Sequence, residues 1–156
     1  DRGRRIEMRV YLDNCCYNRP FDDQTPTKVR VETICKLAVQ LMMATGRVEY
    51  AWSSTLDYEV SRNPFPKQRK AVARWRNGAV VRVLSTDEVK TRAKELELMG
   101  LKAKDALHVA SAENAGCDWF LTTDYGILKK VRNGLKMRIA SPVDFIMEET
   151  YGNDRQ

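Results

Sequence analysis

Cysteine and histidine, the usual ligands of zinc, are scarce in this chain. It holds a single histidine, His108, and four cysteines, none of which forms a C-x-x-C pair. A zinc site built from these two residue types would have too few well-spaced ligands. Four cysteines without such spacing fit a reducing compartment, so we expect a cytoplasmic protein.

Long apolar segments are also missing. No apolar run approaches the roughly 20 residues that a membrane helix needs, and residues 1–7 are charged rather than apolar. We therefore expect neither a membrane span nor a signal peptide. Met8 precedes the first predicted strand, so residues 1–7 are interpreted as a cloning remnant or an upstream extension. The predicted domain covers residues 8–147, and residues 148–156 are expected to form a C-terminal tail.

Two motifs of phosphate chemistry are absent. The chain contains no G-x-x-x-x-G-K-[ST] sequence, which excludes a P-loop nucleotide enzyme. A haloacid-dehalogenase-like phosphatase needs D-x-D after its first strand, whereas this chain reads Asp13-Asn14-Cys15 there.

The size and charge of the chain describe a single basic domain. It has 156 residues, and its 27 lysines and arginines exceed its 21 acids to give a net charge of +6. A basic surface suits an anionic partner such as nucleic acid, although this excess alone is more typical of an ordinary soluble surface.

Hydrophobic patterning predicts strands that alternate with helices. Residues 14–25 are polar and predict a loop, and a helix is predicted from Thr25-Pro26 to Gly46. Because helices separate the strands, the sequence indicates an α/β fold with a parallel sheet covered by helices on both faces. The predicted strands are 9–13, 48–52, 79–84, 118–122 and 136–140.

Four acids lie where such a fold places its functional crevice, beyond the carboxyl ends of the strands. Asp13 ends the first strand and Asp124 follows the fourth. Glu59 lies in the helix after the second strand, within two turns of the strand end, and Asp105 opens the predicted helix at 103–115. Clustered carboxylates stay ionised only with cations between them, and Mg²⁺ and Mn²⁺ prefer oxygen ligands. Two such ions can activate a water and stabilise the leaving oxygen of a phosphoryl displacement. The acids therefore predict a metal-dependent phosphodiesterase. Any one of them alone is more often a helix cap or a surface charge.

The same residues resemble a known family. Asp13-Asn14 after the first strand, Glu59 after the second, K-D-A-L-H-V-A-S-A at 104–112 and L-T-T-D at 121–124 resemble PIN domains. The resemblance covers about residues 8–147 and is strongest to the VapC-like ribonuclease toxins of toxin–antitoxin pairs. The loop after Asp13 is longer than the short link common in those toxins.

The resemblance implies an α/β/α sandwich around a parallel sheet of about five strands. It also implies dependence on Mg²⁺ or Mn²⁺, cleavage of single-stranded RNA, an antitoxin partner and a homodimer. Asp13, Asp105 and Asp124 would hold the metal, and Glu59 would complete the catalytic acids. Asn14 and Thr122 would support the metal site.

Other charged residues were weighed beside this site. Arg62, Lys67, Arg69 and Lys70 begin a run without acids, which favours phosphate contacts and a solvated helix face equally. His108 follows Asp105 by one turn, but a lone histidine there is more often packed or solvated.

Two alternatives remain at this point. A PIN-like binding module would act through its basic surface or its partner with little turnover, although it would have no use for four carboxylates. A structure-specific DNA nuclease would use the same acids, although this chain lacks extra helices to clamp a duplex.

Overall fold

The computed structural model describes residues 8–131 and 135–151, with only the backbone of Tyr151. Within them, five parallel strands form one sheet in the order β3-β2-β1-β4-β5. The strands are β1 (Arg9–Leu12), β2 (Glu49–Ser53), β3 (Val81–Val83), β4 (Trp119–Leu121) and β5 (Arg138–Ala140). The α/β/α architecture with about five parallel strands is confirmed.

Helices occupy most of the connections between these strands. The helices are α1 (Asn14–Asn18), α2 (Thr27–Ala44), α3 (Ser54–Ser61), α4 (Pro66–Ala73), α5 (Asp87–Leu98), α6 (Ala103–Asn114), α7 (Tyr125–Lys130) and α8 (Pro142–Tyr151). Two 3-10 turns, Arg19–Phe21 and Arg74–Gly78, extend α1 and α4. None of the helices in these described ranges is both long and apolar enough to cross a bilayer.

The central strand β1 organises the core. Its residues Val10, Tyr11 and Leu12 are fully buried, as expected for a parallel strand covered on both faces. Val10 lies opposite Tyr50 of β2 and Trp119 of β4. From β1 the chain continues to β2 and β3 on one side of the sheet and then to β4 and β5 on the other side. The direction of strand addition therefore reverses between β1 and β4, and the carboxyl ends of these two strands lie on either side of that point.

The prediction of a loop over residues 14–25 is wrong for its first part. Residues 14–18 form α1, whose N-cap is Asp13, and a 3-10 turn follows at residues 19–21. Cys16 and Tyr17 of α1 are buried in the core, so tertiary packing stabilises a helix too short to form alone. The polar composition of the segment hid this packing.

Helix α2 has the predicted extent, and Gly46 follows its C-cap with a φ of 76°. However, several of its apolar side chains face solvent and several polar side chains face the core, which is the reverse of the usual arrangement. The large apolar side chains of what we call the outer face, Val31, Ile34, Leu37 and Leu41, are 41–67% exposed. In contrast, Glu32, Lys36 and Gln40 point inward and are buried. The outer face thus carries no charge between residues 31 and 45.

The buried side of α2 packs against the 3-10 turn after α1. Arg19 Nε lies 3.2 Å from Glu32 Oε1, and Lys36 Nζ lies 3.4 Å from the carbonyl oxygen of Tyr17. At the other end of the chain, α8 continues to Tyr151, four residues beyond the predicted domain boundary at 147. Residues 1–7, interpreted as an extension, and most of the predicted tail lie outside the described residues.

Candidate active site

The chain reversal between β1 and β4 defines where the site lies. Asp13 directly follows β1, and the segment Thr122–Asp124 directly follows β4. In open parallel sheets the crevice at such a reversal, outside the carboxyl ends of the strands, is the usual ligand site. Two of the four predicted acids therefore meet there because of the strand order alone.

Asp13 is buried and held by several donors. Its Oδ1 accepts a 2.8 Å hydrogen bond from the backbone N–H of Asn14, which makes it the N-cap of α1. Its Oδ2 accepts a 2.8 Å bond from the Thr122 hydroxyl, and the thiol of Cys15 lies 3.4 Å from the same oxygen. The carboxylate is thus fixed in orientation at the edge of the sheet.

Thr122 links Asp13 to Asp124. While its hydroxyl donates to Asp13, its oxygen accepts a 3.0 Å bond from the backbone N–H of Asp124. Asp124 is exposed and serves as the N-cap of α7, where its Oδ1 accepts from the backbone N–H of Gly126 at 2.8 Å. Thr122 therefore bridges Asp13 and Asp124, and its support of a metal site stays a prediction. Cys15, which contacts both Asp13 and Thr122, was not predicted.

Glu59 projects from α3 toward the same rim. Its Oε1 is hydrogen-bonded to Nε2 of His108, and its Oε2 lies 3.4 Å from Lys104 Nζ. Burial opposes ionisation of Glu59, but the bond to His108 and the positive charge of Lys104 lower its pKa overall. Glu59 is therefore held as a carboxylate.

His108 is packed, as expected, but it also faces the site. It is almost fully buried, and its Nε2 is 3.9 Å from Asp13 Oδ1 in addition to its bond with Glu59. Burial opposes its protonation, yet the bond to Glu59 and the charge of Asp13 raise its pKa. The signal for this placement was its position one helical turn after Asp105.

The negative charges of the other three acids all act on Asp105. It lies half-buried in the first turn of α6, and its pKa is raised by burial and by the charges of Asp13 and Asp124, with a further contribution from Glu59. Such mutual repulsion is relieved when a cation is shared among the carboxylates. The donor set is dominated by carboxylate oxygen, which suits Mg²⁺ or Mn²⁺. The residues present therefore fit the predicted metal.

Within the described part of the chain, the side chains whose ligand atoms are close enough to share one ion are not the same set as the predicted metal ligands. Ligand atoms of Asp13, Glu59 and His108 lie within 4.8 Å of one another, whereas Asp105 and Asp124 are joined to this group through their charges. Asp118, which precedes β4, accepts from the backbone N–H of Arg9 at 2.8 Å. Arg9 begins β1, so Asp118 lies at the opposite rim.

The predicted nucleic-acid-binding residues lie on elements that are linked by hydrogen bonds to α1, the helix whose N-cap is Asp13. Arg62 is the C-cap of α3, and Lys67, Arg69 and Lys70 lie on α4. A chain of amides connects α4 to Asn14. Asn18 Nδ2 lies 3.1 Å from Asn14 Oδ1, and Asn63 Nδ2 lies 3.4 Å from Asn18 Oδ1. Asn63 in turn accepts from Arg69 at its carbonyl oxygen, at 2.8 Å.

Lys67, Lys70 and Arg62 are exposed, and Arg69 is partly buried. The start of α1, where Asp13 lies, is therefore connected by hydrogen bonds to a helix that presents cations to solvent.

The sequence also matches the family model of the PIN domain over residues 25–133. The chain belongs to the PIN domain family. The matched range contains Glu59, Asp105 and Asp124 and begins after Asp13.

Solved structures support the fold of this PIN domain. One is the crystal structure of FitAcB from Neisseria gonorrhoeae, with 13% identity and a TM-score of 0.57. Another is VapBC2 from Rickettsia felis bound to a DNA fragment from their promoter, with 15% identity and a TM-score of 0.51. Each match covers 85% of this chain and 97% of the other chain. No curated protein matches the chain.

Proposed function

We propose that this PIN domain is a metal-dependent endoribonuclease that cleaves single-stranded RNA. The observation that carries the proposal is the meeting of the acids at one rim of the sheet. The Thr122 hydroxyl joins Asp13 to Asp124. The His108 ring lies beside both Asp13 and Glu59, and the charges of these acids act on Asp105. Carboxylates gathered in this way at the carboxyl rim of a parallel sheet suit a phosphodiester substrate bound with divalent metal.

Each acid has a proposed role in that reaction. Mg²⁺ or Mn²⁺, when bound, would supply the positive charge that activates water and stabilises the leaving oxygen. Asp13, Asp105 and Asp124 would hold it, with Asp13 oriented by Asn14 and Thr122. Glu59, kept ionised by His108 and Lys104, would add its negative charge to the metal site and orient the attacking water through its carboxylate.

The RNA strand is proposed to run from the acidic rim across α1 to α4. The exposed cations Arg62, Lys67 and Lys70, together with Arg69, would contact phosphates on this path. The amide chain from Asn14 to Asn63 supports this direction because it holds α4 against the start of α1.

An antitoxin is the proposed protein partner. The sequence resembles the VapC-like toxins of toxin–antitoxin pairs, and VapBC2 is among the solved structures of similar fold. An antitoxin segment carrying positive charge would complement the acids and cover the rim, which would block RNA. We also propose that residues 8–147 form the nuclease domain and that it acts in the cytoplasm, where its four free cysteines would remain reduced.

A homodimer is proposed through the outer face of α2. Two copies of a chain with a net charge of +6 repel each other, but the outer face is uncharged. A two-fold interface places the same patch on both subunits, which suits an apolar stripe along one helix. Val31, Ile34, Leu37 and Leu41 would then pack against their copies.

The test is cleavage of labelled single-stranded RNA and single-stranded DNA with Mg²⁺, with Mn²⁺ and with EDTA. Asp13→Asn is the site variant, and Asp118→Asn at the opposite rim is the matched control. Metal-dependent RNA cleavage that only Asp13→Asn abolishes would support the proposal. Cleavage of DNA alone would favour the DNA nuclease, and no cleavage by folded, antitoxin-free protein would favour the binding module.

A further inference from the structure

A chain of hydrogen bonds lies directly behind Glu59. Tyr11 Oη is 2.6 Å from Ser53 Oγ and 2.6 Å from Nδ1 of His108, whose Nε2 is bonded to Glu59. Ser53 Oγ also accepts a 3.1 Å bond from the backbone N–H of Leu56. Ser53, Tyr11 and His108 are all buried, so water does not compete with these bonds.

The direction of the chain at Glu59 follows from the proton count. A carboxylate oxygen can only accept, so the bond between Glu59 and His108 has its hydrogen on Nε2 of His108. In the neutral imidazole, Nδ1 then accepts from the Tyr11 hydroxyl, which in turn accepts from Ser53. In the charged imidazole, Nδ1 donates to Tyr11, and Tyr11 donates to Ser53. Nε2 donates to Glu59 in both cases.

The chain of hydrogen bonds begins and ends on the same helix. Ser53 is the N-cap of α3, and Glu59 lies on the same helix. Between them stand Tyr11, two residues before Asp13 on β1, and His108, three residues after Asp105 on α6. The circuit thus joins the three elements that carry or immediately precede Glu59, Asp13 and Asp105.

We propose that Tyr11 and His108 are positioning residues that hold Glu59 in register with Asp13 and Asp105 before metal arrives. This inference rests on the proposed metal-dependent function. Glu59 is proposed to add its negative charge to the metal site, so its orientation bears on metal binding. Removing the partners that orient such groups from behind typically changes metal affinity by about 10–100-fold. The cost of bringing carboxylates together is then met by folding rather than by metal binding.

The competing assignment makes His108 a metal ligand, since its Nε2 lies within 4.8 Å of ligand oxygens of Asp13 and Glu59. Two observations oppose it. Both imidazole nitrogens already have hydrogen-bond partners. The other side chains that could bind metal here are carboxylates, whose oxygen atoms select hard ions that prefer oxygen ligands.

The first experiment measures Mn²⁺ affinity by the electron paramagnetic resonance signal of the free ion. Tyr11→Phe removes one hydroxyl from the circuit and keeps the ring. Tyr17→Phe is the matched control, because Tyr17 is equally buried and its hydroxyl has no hydrogen-bond partner among the described residues. We expect about 10-fold or weaker binding in Tyr11→Phe and wild-type binding in Tyr17→Phe. Wild-type affinity in Tyr11→Phe would overturn the proposal.

The second experiment uses the wild-type protein, so it stands even if Tyr11→Phe fails to fold. His108 is the sole histidine of the chain, and its two ring nitrogens can be read without assignment in a ¹⁵N spectrum. We expect Nε2 to keep its hydrogen before and after addition of Mg²⁺. Loss of that hydrogen on addition of Mg²⁺ would make His108 a ligand and overturn the proposal.

Failure of this inference can be separated from failure of the proposed function. Wild-type protein that binds no Mn²⁺ would reject the metal-dependent nuclease itself. Wild-type protein that binds Mn²⁺, loses it in Asp13→Asn and keeps it unchanged in Tyr11→Phe would reject only the positioning roles.

Discussion

The hydroxyl of Thr122 donates a 2.8 Å hydrogen bond to Oδ2 of Asp13, across the boundary between the two central strands. The hydroxyl oxygen of Thr122 also accepts a bond from the backbone N–H of Asp124, so one buried side chain fixes two of the proposed metal ligands. Both bonds depend on a single hydroxyl, which makes Thr122 a sensitive test of how rigid the site must be.

We expect Thr122→Val to lower the free energy of unfolding by about 1–3 kcal/mol. The substitution leaves the buried Oδ2 of Asp13 with only the weak thiol donor of Cys15, and it removes the acceptor of the Asp124 backbone N–H. Cleavage should fall as well, since Asp13 and Asp124 lose their common anchor. Urea unfolding and RNA cleavage measure the two effects. Thr122→Ser keeps the hydroxyl and should retain most of both properties. Equal behaviour of the valine and serine variants would show that the hydroxyl is dispensable.

Asp105→Asn should make the metal-free protein more stable and inactive. Burial and the charges of Asp13 and Asp124 raise the pKa of Asp105, so its ionised form destabilises the folded state near neutral pH. Removing that charge should raise the Tm without metal and reduce the gain in Tm on addition of Mg²⁺.

The control for this variant is Asp118→Asn. Asp118 lies at the opposite rim, and asparagine can still accept from the backbone N–H of Arg9. Its Tm should respond to Mg²⁺ as the wild-type Tm does. A wild-type response in Asp105→Asn would remove Asp105 from the proposed metal site.

The sequence predicted the rim of the site because that prediction needs only the positions of the strands and their parallel direction, which local patterns indicate. Asp13 and Asp124 follow short runs of apolar residues, and the alternation of helices and strands makes the sheet parallel. The rim that collects both acids follows from these two facts. The roles of the four acids in catalysis remain predictions that the experiments above would test.

Other features depended on tertiary packing that no local pattern reports. α1 forms because Cys16 and Tyr17 reach the core, although the segment around them is polar. Tyr11 and His108 come together from distant parts of the chain, so the spacing of residues in the sequence could not predict their hydrogen bond. The apolar repeat of α2 predicted a helix correctly, but spacing cannot tell whether an apolar stripe faces the core or a partner.

The buried charge of Lys36 predicts a pH-dependent stability. Burial lowers the pKa of its ammonium group from 10.5 to about 8. Lys36→Met should raise the free energy of unfolding at pH 7, by up to about 3 kcal/mol, because a charged group no longer has to be buried. Urea unfolding of both proteins from pH 7 to pH 10 would measure this.

The sign of the pH effect follows from the proton count. Between about pH 8 and pH 10.5 the unfolded chain keeps the Lys36 proton that the folded chain has released. The contribution of Lys36 to the free energy of unfolding therefore rises with pH. The advantage of Lys36→Met should shrink across this window. Lys90→Met, at an exposed position on α5, should show no such trend. A constant advantage would contradict burial of a charged Lys36.

The outer face of α2 predicts a defined oligomer. Leu41→Glu introduces a charge at a position that is 65% exposed, so the isolated fold should tolerate it. If the outer face joins two copies, sedimentation should show a dimer for the wild type and a monomer for Leu41→Glu. Leu98→Glu is the matched control, because Leu98 is 91% exposed and lies on α5. A dimer that survives Leu41→Glu would place the interface elsewhere.

The cations of α4 predict how RNA binding depends on salt. Each phosphate contact on a single strand contributes about 0.7 to the slope of log affinity against log salt. If Lys67 and Lys70 each contact a phosphate, the double variant Lys67→Ala/Lys70→Ala should lower the slope by about 1.4. Binding would be measured in Ca²⁺ with uncleaved RNA across a salt series. Lys94→Ala, at an exposed position on α5, should leave the slope unchanged. An unchanged slope in the double variant would move the RNA path away from α4.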